Sequence, residues 1–210
     1  MEQLTGHSKK GHTLPLYERR ILNRSKFRYY AGLIARWKVY LHYERNRRIA
    51  RKNGAIIGEE VIIPRELAKM ANKNLIIGAH SSIMTTQLDL RNPITFGKHV
   101  IMGASCKILT TSHEIDSPDF EAKNGGIIIE DYVWIPAKIV ILPSCRRIGR
   151  GAVISSGSCV VKDVEPMSVV GGNPAKEFKK RKCVHSNLVV ESLQGGDYHA
   201  YKEIWNKHKN

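Results

Sequence analysis

The chain has 210 residues, enough for one domain with extensions and a sizeable buried core. No apolar run approaches the about 18 residues that a bilayer-spanning helix needs, and the first 20 residues carry no signal-peptide pattern, so a cytoplasmic protein is expected. The formal net charge of +15 is concentrated at one end, where Met1 to Asn53 hold 14 Lys and Arg against 3 Glu, a net of +11.

That basic segment is the first predicted element. Phe27, Tyr30, Ile34, Trp37 and Leu41 recur at three- and four-residue steps, which aligns them on one helix face, while Arg28, Arg36, Lys38, Arg45, Arg47 and Arg48 occupy the rest. The expectation is an amphipathic basic helical extension over 1–53. Its apolar face has two uses open to it: packing on the base of the domain that follows, or lying on anionic lipid through residues 20–52. Nucleic acid is not an expected partner, because no base-stacking or groove-reading motif accompanies the charge.

From 54 to 182 an aliphatic residue returns every six positions. Ile57 and Ile63 open the series, followed by Ile77 and Ile83, then Phe96, Met102 and Ile108. Ile129, Ile135 and Ile141 continue it and, after one extra residue, Ile148, Ile154 and Val160. Six is too long for a helix face. A short strand of about 4 residues with a two-residue corner gives that period, and three such units make one triangular turn of a parallel β-helix with the apolar residues inside. The fold class is therefore an all-β core with helical extensions, and small residues stand where corners must be tight, at Gly149, Gly151, Ser155, Ser156 and Gly157. Cys106, Cys145, Cys159 and Cys183 have no CxxC spacing and are expected as free, buried thiols.

The frame breaks twice. It slips between Met84 and Pro93, a stretch that contains Asp89, and it stops over 110–126, where the loop ILTTSHEIDSPDF offers His113 with Glu114 and Asp116 beside it. In a stack whose regular coils only make core, such insertions are where chemistry can be placed. After Lys182 the pattern fades into a connector over 183–210, with a Gly195–Gly196 break and a short helix carrying Tyr198, Tyr201, Ile204 and Trp205 on one side.

The string IIIEDYVWIPAKIVILPSCRRIGRGAVISSGSCVVKDVEPMSVVGGNPAKEF, with its VWI tripeptide, ILP corner, VVKDV run and GGNPAK exit, resembles the C-terminal coils of the hexapeptide-repeat acyltransferases. Within that family it is similar to the sugar O-acetyltransferases of the maltose and galactoside type and their relatives that modify capsule or exopolysaccharide. The likeness covers Asn53 to Lys182 and departs in detail, with Glu130 and Pro136 where glycine is usual and Arg146–Arg147 bringing the extra residue.

The resemblance implies a left-handed parallel β-helix, a closed homotrimer with its sites at subunit interfaces, and acetyl-coenzyme A as co-substrate with no metal required. It implies His113, in the TSHEID string, as the general base for direct transfer in a ternary complex. Asp89 is expected to bind an acceptor hydroxyl, with Glu114 and Asp116 orienting the ring or binding further hydroxyls. For the donor, the corners at Ala137 and Ser156 are expected to line a groove, with Val161, Lys162, Lys176 and Lys179 near its outer end and Trp134 as a wall. The basic extension is more like that of enzymes whose acceptors are lipid-linked glycans on the cytoplasmic membrane face.

Three other readings compete. N-acetylation of an amino sugar needs the same scaffold and base. A trimeric zinc carbonic anhydrase needs three histidines, two of them about five residues apart; His80 and His99 lie about one coil apart, but Pro118 stands five beyond His113. A catalytically silent scaffold docking partners through its basic helix is the third.

Overall fold

A computed structural model of the chain describes residues 14–209. Its core is built from very short strands, each pairing in parallel with strands one turn above and below. The first face carries Ile56–Ile57, Leu75–Ile77, Ile94–Phe96, Ile127–Ile129 and Arg147–Ile148. The second carries Ser82–Ile83, Ile101–Met102, Trp134–Ile135, Val153–Ile154 and Ser168–Gly172, and the third Gln87–Leu88, Lys107–Ile108, Val140–Ile141 and Cys159–Val160. Because the chain visits the three faces in rotation, it winds a three-sided stack.

Each two-residue strand sends one side chain inward and one outward. The inward residues align in columns. Ile57, Ile77, Phe96, Ile129 and Ile148 pair along the first face, Ile83, Met102, Ile135, Ile154 and Val170 line the second, and Leu88, Ile108, Ile141 and Val160 the third. All are buried, which accounts for the six-residue period.

The corners turn through the left-handed region, and mostly without glycine. Glu60, His80, His99 and Tyr132 take φ between 52° and 59° at the corner that leads into the second face, where Gly151 follows with φ 70°. Ser105, Lys138 and Gly157 do the same at the corner before the third face. Equivalent corners stack, so their side chains form a ladder: the His80 and His99 rings lie 5.2 Å apart and His99 and Tyr132 4.7 Å apart, nearly parallel. Thus the two histidines one coil apart stack as corner residues. His80 pairs with Glu191 at 2.5 Å, and among the described residues no group of three or more His, Cys, Asp or Glu is placed to hold a metal ion.

The base of the stack is closed by helices α2 (Lys26–Lys52) and α3 (Arg65–Met70), while α1 (Leu16–Leu22) joins the second core described below. Ser25 caps α2 by accepting the Arg28 N–H. The C-terminal half of α2 lies over the first coil, whose carbonyls have no coil below to pair with. The Asn46 amide donates to the Ile63 carbonyl at 2.9 Å, the buried Arg47 guanidinium to that of Val61 at 3.0 Å, and Arg51 to that of Ile57. Glu44 balances the Arg47 charge at 2.8 Å.

Of the two uses open to the apolar face of α2, packing on the base is not the one seen. The stripe Phe27, Tyr30, Ile34, Trp37 and Leu41 does not pack on the prism; these residues are 45–83% exposed. At about 100° per residue, Tyr29, Asn46, Arg47 and Ala50 lie on the opposite side, and these are the buried ones. Polar residues carry the inward face because it meets backbone carbonyls, whereas the outward face is the apolar one.

The C-terminal segment is also tied down. Ala175–Lys180 folds back antiparallel on Ser168–Gly172, and Arg181 then donates to the Tyr132 and Gly151 carbonyls at 3.2 and 3.1 Å. His185 Nε2–H donates to the His99 carbonyl at 2.8 Å, so the tail runs back along the corner ladder toward the base. There α4 (Tyr198–Lys209) stacks Tyr201 and Trp205 on Tyr29, at 5.2 and 4.0 Å, in a second core with Ile21. Asp197 receives Tyr17 Oη–H and, at 3.0 Å, Arg36 Nε–H. Of the four thiols, Cys106 and Cys145 are buried as expected, whereas Cys159 is partly buried and Cys183 is exposed because it lies in the tail beyond the last coil.

Candidate active site

The excursion over 110–126 is an ordered hairpin. Thr111–His113 pairs antiparallel with Ala122–Asn124. Its foot is fixed by the preceding coil: the Thr110 N–H donates to Asp89 Oδ2 at 3.1 Å, and the Thr110 hydroxyl to the Asp89 carbonyl at 2.9 Å. Arg91 grips the same carboxylate through two N–H groups at 2.7 and 2.9 Å, which holds its pKa well below the usual carboxylate range. Both Asp89 oxygens are therefore occupied, and it lies beneath the loop. Asn92 adds donors to Thr111 Oγ1 and Asn124 Oδ1, joining the two hairpin strands.

At the hairpin's outer end His113 Nδ1 lies 2.8 Å from the Phe120 carbonyl oxygen. A carbonyl only accepts, so Nδ1 carries a proton, and in the neutral imidazole the lone pair is then on Nε2. The Phe120 ring stacks on the imidazole at 3.9 Å and 9°, restricting its rotation. The turn that makes this possible puts Phe120 itself at φ 51°.

His113, Glu114 and Asp116 open together on a cavity of about 560 Å³, closed on its other side by Leu142, Pro143, Ser144 and Arg146 of the next coil. Glu114 forms an ion pair with Lys123, whose hydrogen bond lowers the carboxyl pKa. Arg146 is the extra residue of the repeat. Its N–H and that of Arg147 both donate to Asp163 Oδ1, at 2.6 and 3.0 Å.

The residues expected to hold the donor divide by place. Val161 and Lys162 lie on the corner that carries His113, with the Ser144 hydroxyl donating to the Val161 carbonyl at 2.6 Å. Trp134 is half exposed on the second face, and Ala137 and Ser156 lie on successive coils at the corner between second and third faces, where the Gly157 N–H reaches the Ala137 carbonyl. Lys176 and Lys179 are exposed on the closing hairpin. One chain therefore presents Trp134 on the second face and His113 beyond the third, on different sides of the stack. Sequence reasoning did not find Phe120, Lys123 or Arg146 as site residues; the only signal for Arg146 was the one-residue lengthening of the repeat.

No family model matches the chain. A chloramphenicol acetyltransferase of Klebsiella aerogenes is 52% identical over 59 residues, 28% of each chain, so the match spans under a third of that relative's length. A galactoside O-acetyltransferase of Lactococcus lactis is 32% identical over 144 residues, 65% of this chain and 68% of that one. A crystal structure of a hexapeptide-repeat-containing acetyltransferase of Vibrio cholerae, complexed with acetyl-coenzyme A, superposes with a TM-score of 0.56 at 30% identity, covering 73% of this chain and 88% of the other.

Proposed function

The chain belongs to the hexapeptide-repeat acetyltransferase family, and from that premise we propose that it transfers an acetyl group from acetyl-coenzyme A to a hydroxyl of a sugar or glycan precursor, with His113 as general base. The observation that carries this reading is the fixed imidazole: Nδ1–H is committed to the Phe120 carbonyl, and His113 lines a cavity of about 560 Å³ together with Glu114 and Asp116. Nε2 takes the acceptor proton as its oxygen attacks the thioester carbonyl. The C–S bond then breaks, and the same proton passes to the departing thiolate, leaving ester and free thiol. Glu114 and Asp116 serve the acceptor hydroxyls. Asp89, with both oxygens engaged, is a positioning residue that anchors the loop.

The donor set assigned to Trp134, Ala137, Ser156, Val161, Lys162, Lys176 and Lys179 supports a shared site. Because Trp134 on the second face and His113 beyond the third lie on different sides of one chain, a second copy supplying the missing wall completes the groove, and a homotrimer closes three such sites. We read the coil as left-handed on the likeness to the family. Among the described residues no helix is long and apolar enough to cross a membrane, and the outward stripe of α2 fits peripheral contact with anionic lipid, near a lipid-linked acceptor. Thiol release from acetyl-coenzyme A across a panel of sugars, nucleotide sugars and lipid-linked oligosaccharides tests the activity; no release above hydrolysis with any of them sinks it.

A further inference from the structure

The cavity beside His113 is electrically divided. Lys123 is paired with Glu114, but Asp116 and Arg146, which line the same space, have no ion-pair partner among the described residues and do not reach each other. Arg147 and Arg150, by contrast, are bound to Glu130 and Asp131 at 2.6 and 3.0 Å. Arg146 thus keeps nearly all its donors, with one long contact of 3.5 Å to the Asn124 carbonyl.

Its position is built by three local features. The extra residue in the repeat puts an arginine where a regular coil has none, and Asp163 secures that bulge through two backbone N–H groups. The hairpin then makes room for the side chain: a Cβ on Gly125 would stand 1.5 Å from Arg146 Nη1, so the guanidinium occupies the place a side chain there would take. A planar fork of free donors is suited to a carboxylate or phosphate.

We propose that Arg146 is the specificity residue of the acceptor subsite and that the acceptor sugar carries an anionic group, a phosphate or a uronate carboxylate, bound there while its hydroxyl lies at His113. The inference rests on the acetyltransferase reading for the word acceptor, although the anion subsite itself does not. The donor also carries phosphates, and the kinetic arm below distinguishes them from an anion on the acceptor.

Two measurements on the full chain separate the possibilities. Inorganic phosphate titrated against the His113 imidazole resonances should shift them saturably in wild type, and the shift should vanish in Arg146→Gln and weaken in Gly125→Ala, which keeps the charge but displaces the guanidinium. In the thiol-release assay, the ratio of kcat/KM for glucose 6-phosphate or galacturonate over that for the parent sugar should fall about 10- to 100-fold in Arg146→Gln, the range for a lost hydrogen bond to a charged group. Absence of any phosphate shift in wild type overturns the subsite, as does an unchanged ratio in the variant. A rise confined to KM for acetyl-coenzyme A would give the anion to the donor and overturn it too. A saturable, Arg146-dependent shift without thiol release from any sugar leaves the subsite standing and defeats the acetyltransferase reading.

Discussion

The Phe120 carbonyl oxygen accepts the Nδ1–H of His113 at 2.8 Å while the Phe120 ring lies 3.9 Å from the imidazole, so one residue fixes both the tautomer and the plane of the proposed base. His113→Ala should fold and assemble normally, because the imidazole is exposed, yet lose at least about 100-fold in turnover, the low end for a missing general base. Coenzyme A release by variant and wild type decides it. Near-normal turnover would remove His113 from the chemistry.

Asp89 acts on the same loop from below. Asp89→Ala strands the Thr110 N–H, on a residue only 1% exposed, at a cost of about 1–3 kcal/mol. Turnover should drop severalfold through a misplaced hairpin, and Asp89→Asn should recover most of it because the amide oxygen still accepts that N–H. If instead the asparagine variant is as impaired as the alanine one, and the loss is in acceptor KM, Asp89 contacts substrate directly.

The corner ladder makes a pH prediction. The hydrogen bond that His80 Nδ1–H donates to the Glu191 carboxylate, against an opposing burial effect, raises the His80 pKa above its ordinary value near 6.5. The pair's contribution to stability is therefore complete below about pH 6.5 and is lost as pH rises through the raised value. Burial lowers His99 and His185, which work in the other direction as pH falls. The quantity to measure is the Tm difference between wild type and His80→Gln, expected to be larger at about pH 5.5 than at about pH 8.5. Equal differences would mean the Glu191 contact adds no charge-dependent stability.

What could be read from the sequence follows from which interactions are local. The six-residue period was legible because the inward position of every strand, from Ile57 to Val160, is apolar whatever its neighbours are. The break at Thr110 was legible as the end of that period, and with it the place of His113. The corners were harder to read. Glycine rules find Gly151 and Gly157, but His80, Ser105, Tyr132 and Lys138 adopt the same left-handed conformation because the paired strands on both sides impose it. The inward face of α2 was invisible for a related reason. Asn46 and Arg47 are buried against carbonyls of Ile63 and Val61 that exist as a surface only once the first coil has formed. Arg146 shows the same limit: the insertion could be counted, but its seat on Gly125 could not.

The outward stripe of α2 gives the last prediction. Phe27, Tyr30, Ile34, Trp37 and Leu41 form an outward apolar stripe, and Lys38, Arg45 and Lys52 continue the same side of the helix, exposed and without ion-pair partners among the described residues. On an anionic bilayer the stripe would enter the headgroup region and each basic residue near the surface would contribute about 1 kcal/mol, weakened by salt. Full-length protein should float with anionic vesicles and less with neutral ones, and its binding should fall with added salt. The double variant Phe27→Ser, Trp37→Ser should remain below while keeping its far-UV spectrum, since neither side chain is buried. Light scattering on the same variant identifies the competing occupant. If removing the stripe dissociates an oligomer and leaves vesicle binding untouched, the surface is a subunit contact, and the case for a lipid-linked acceptor loses its structural support.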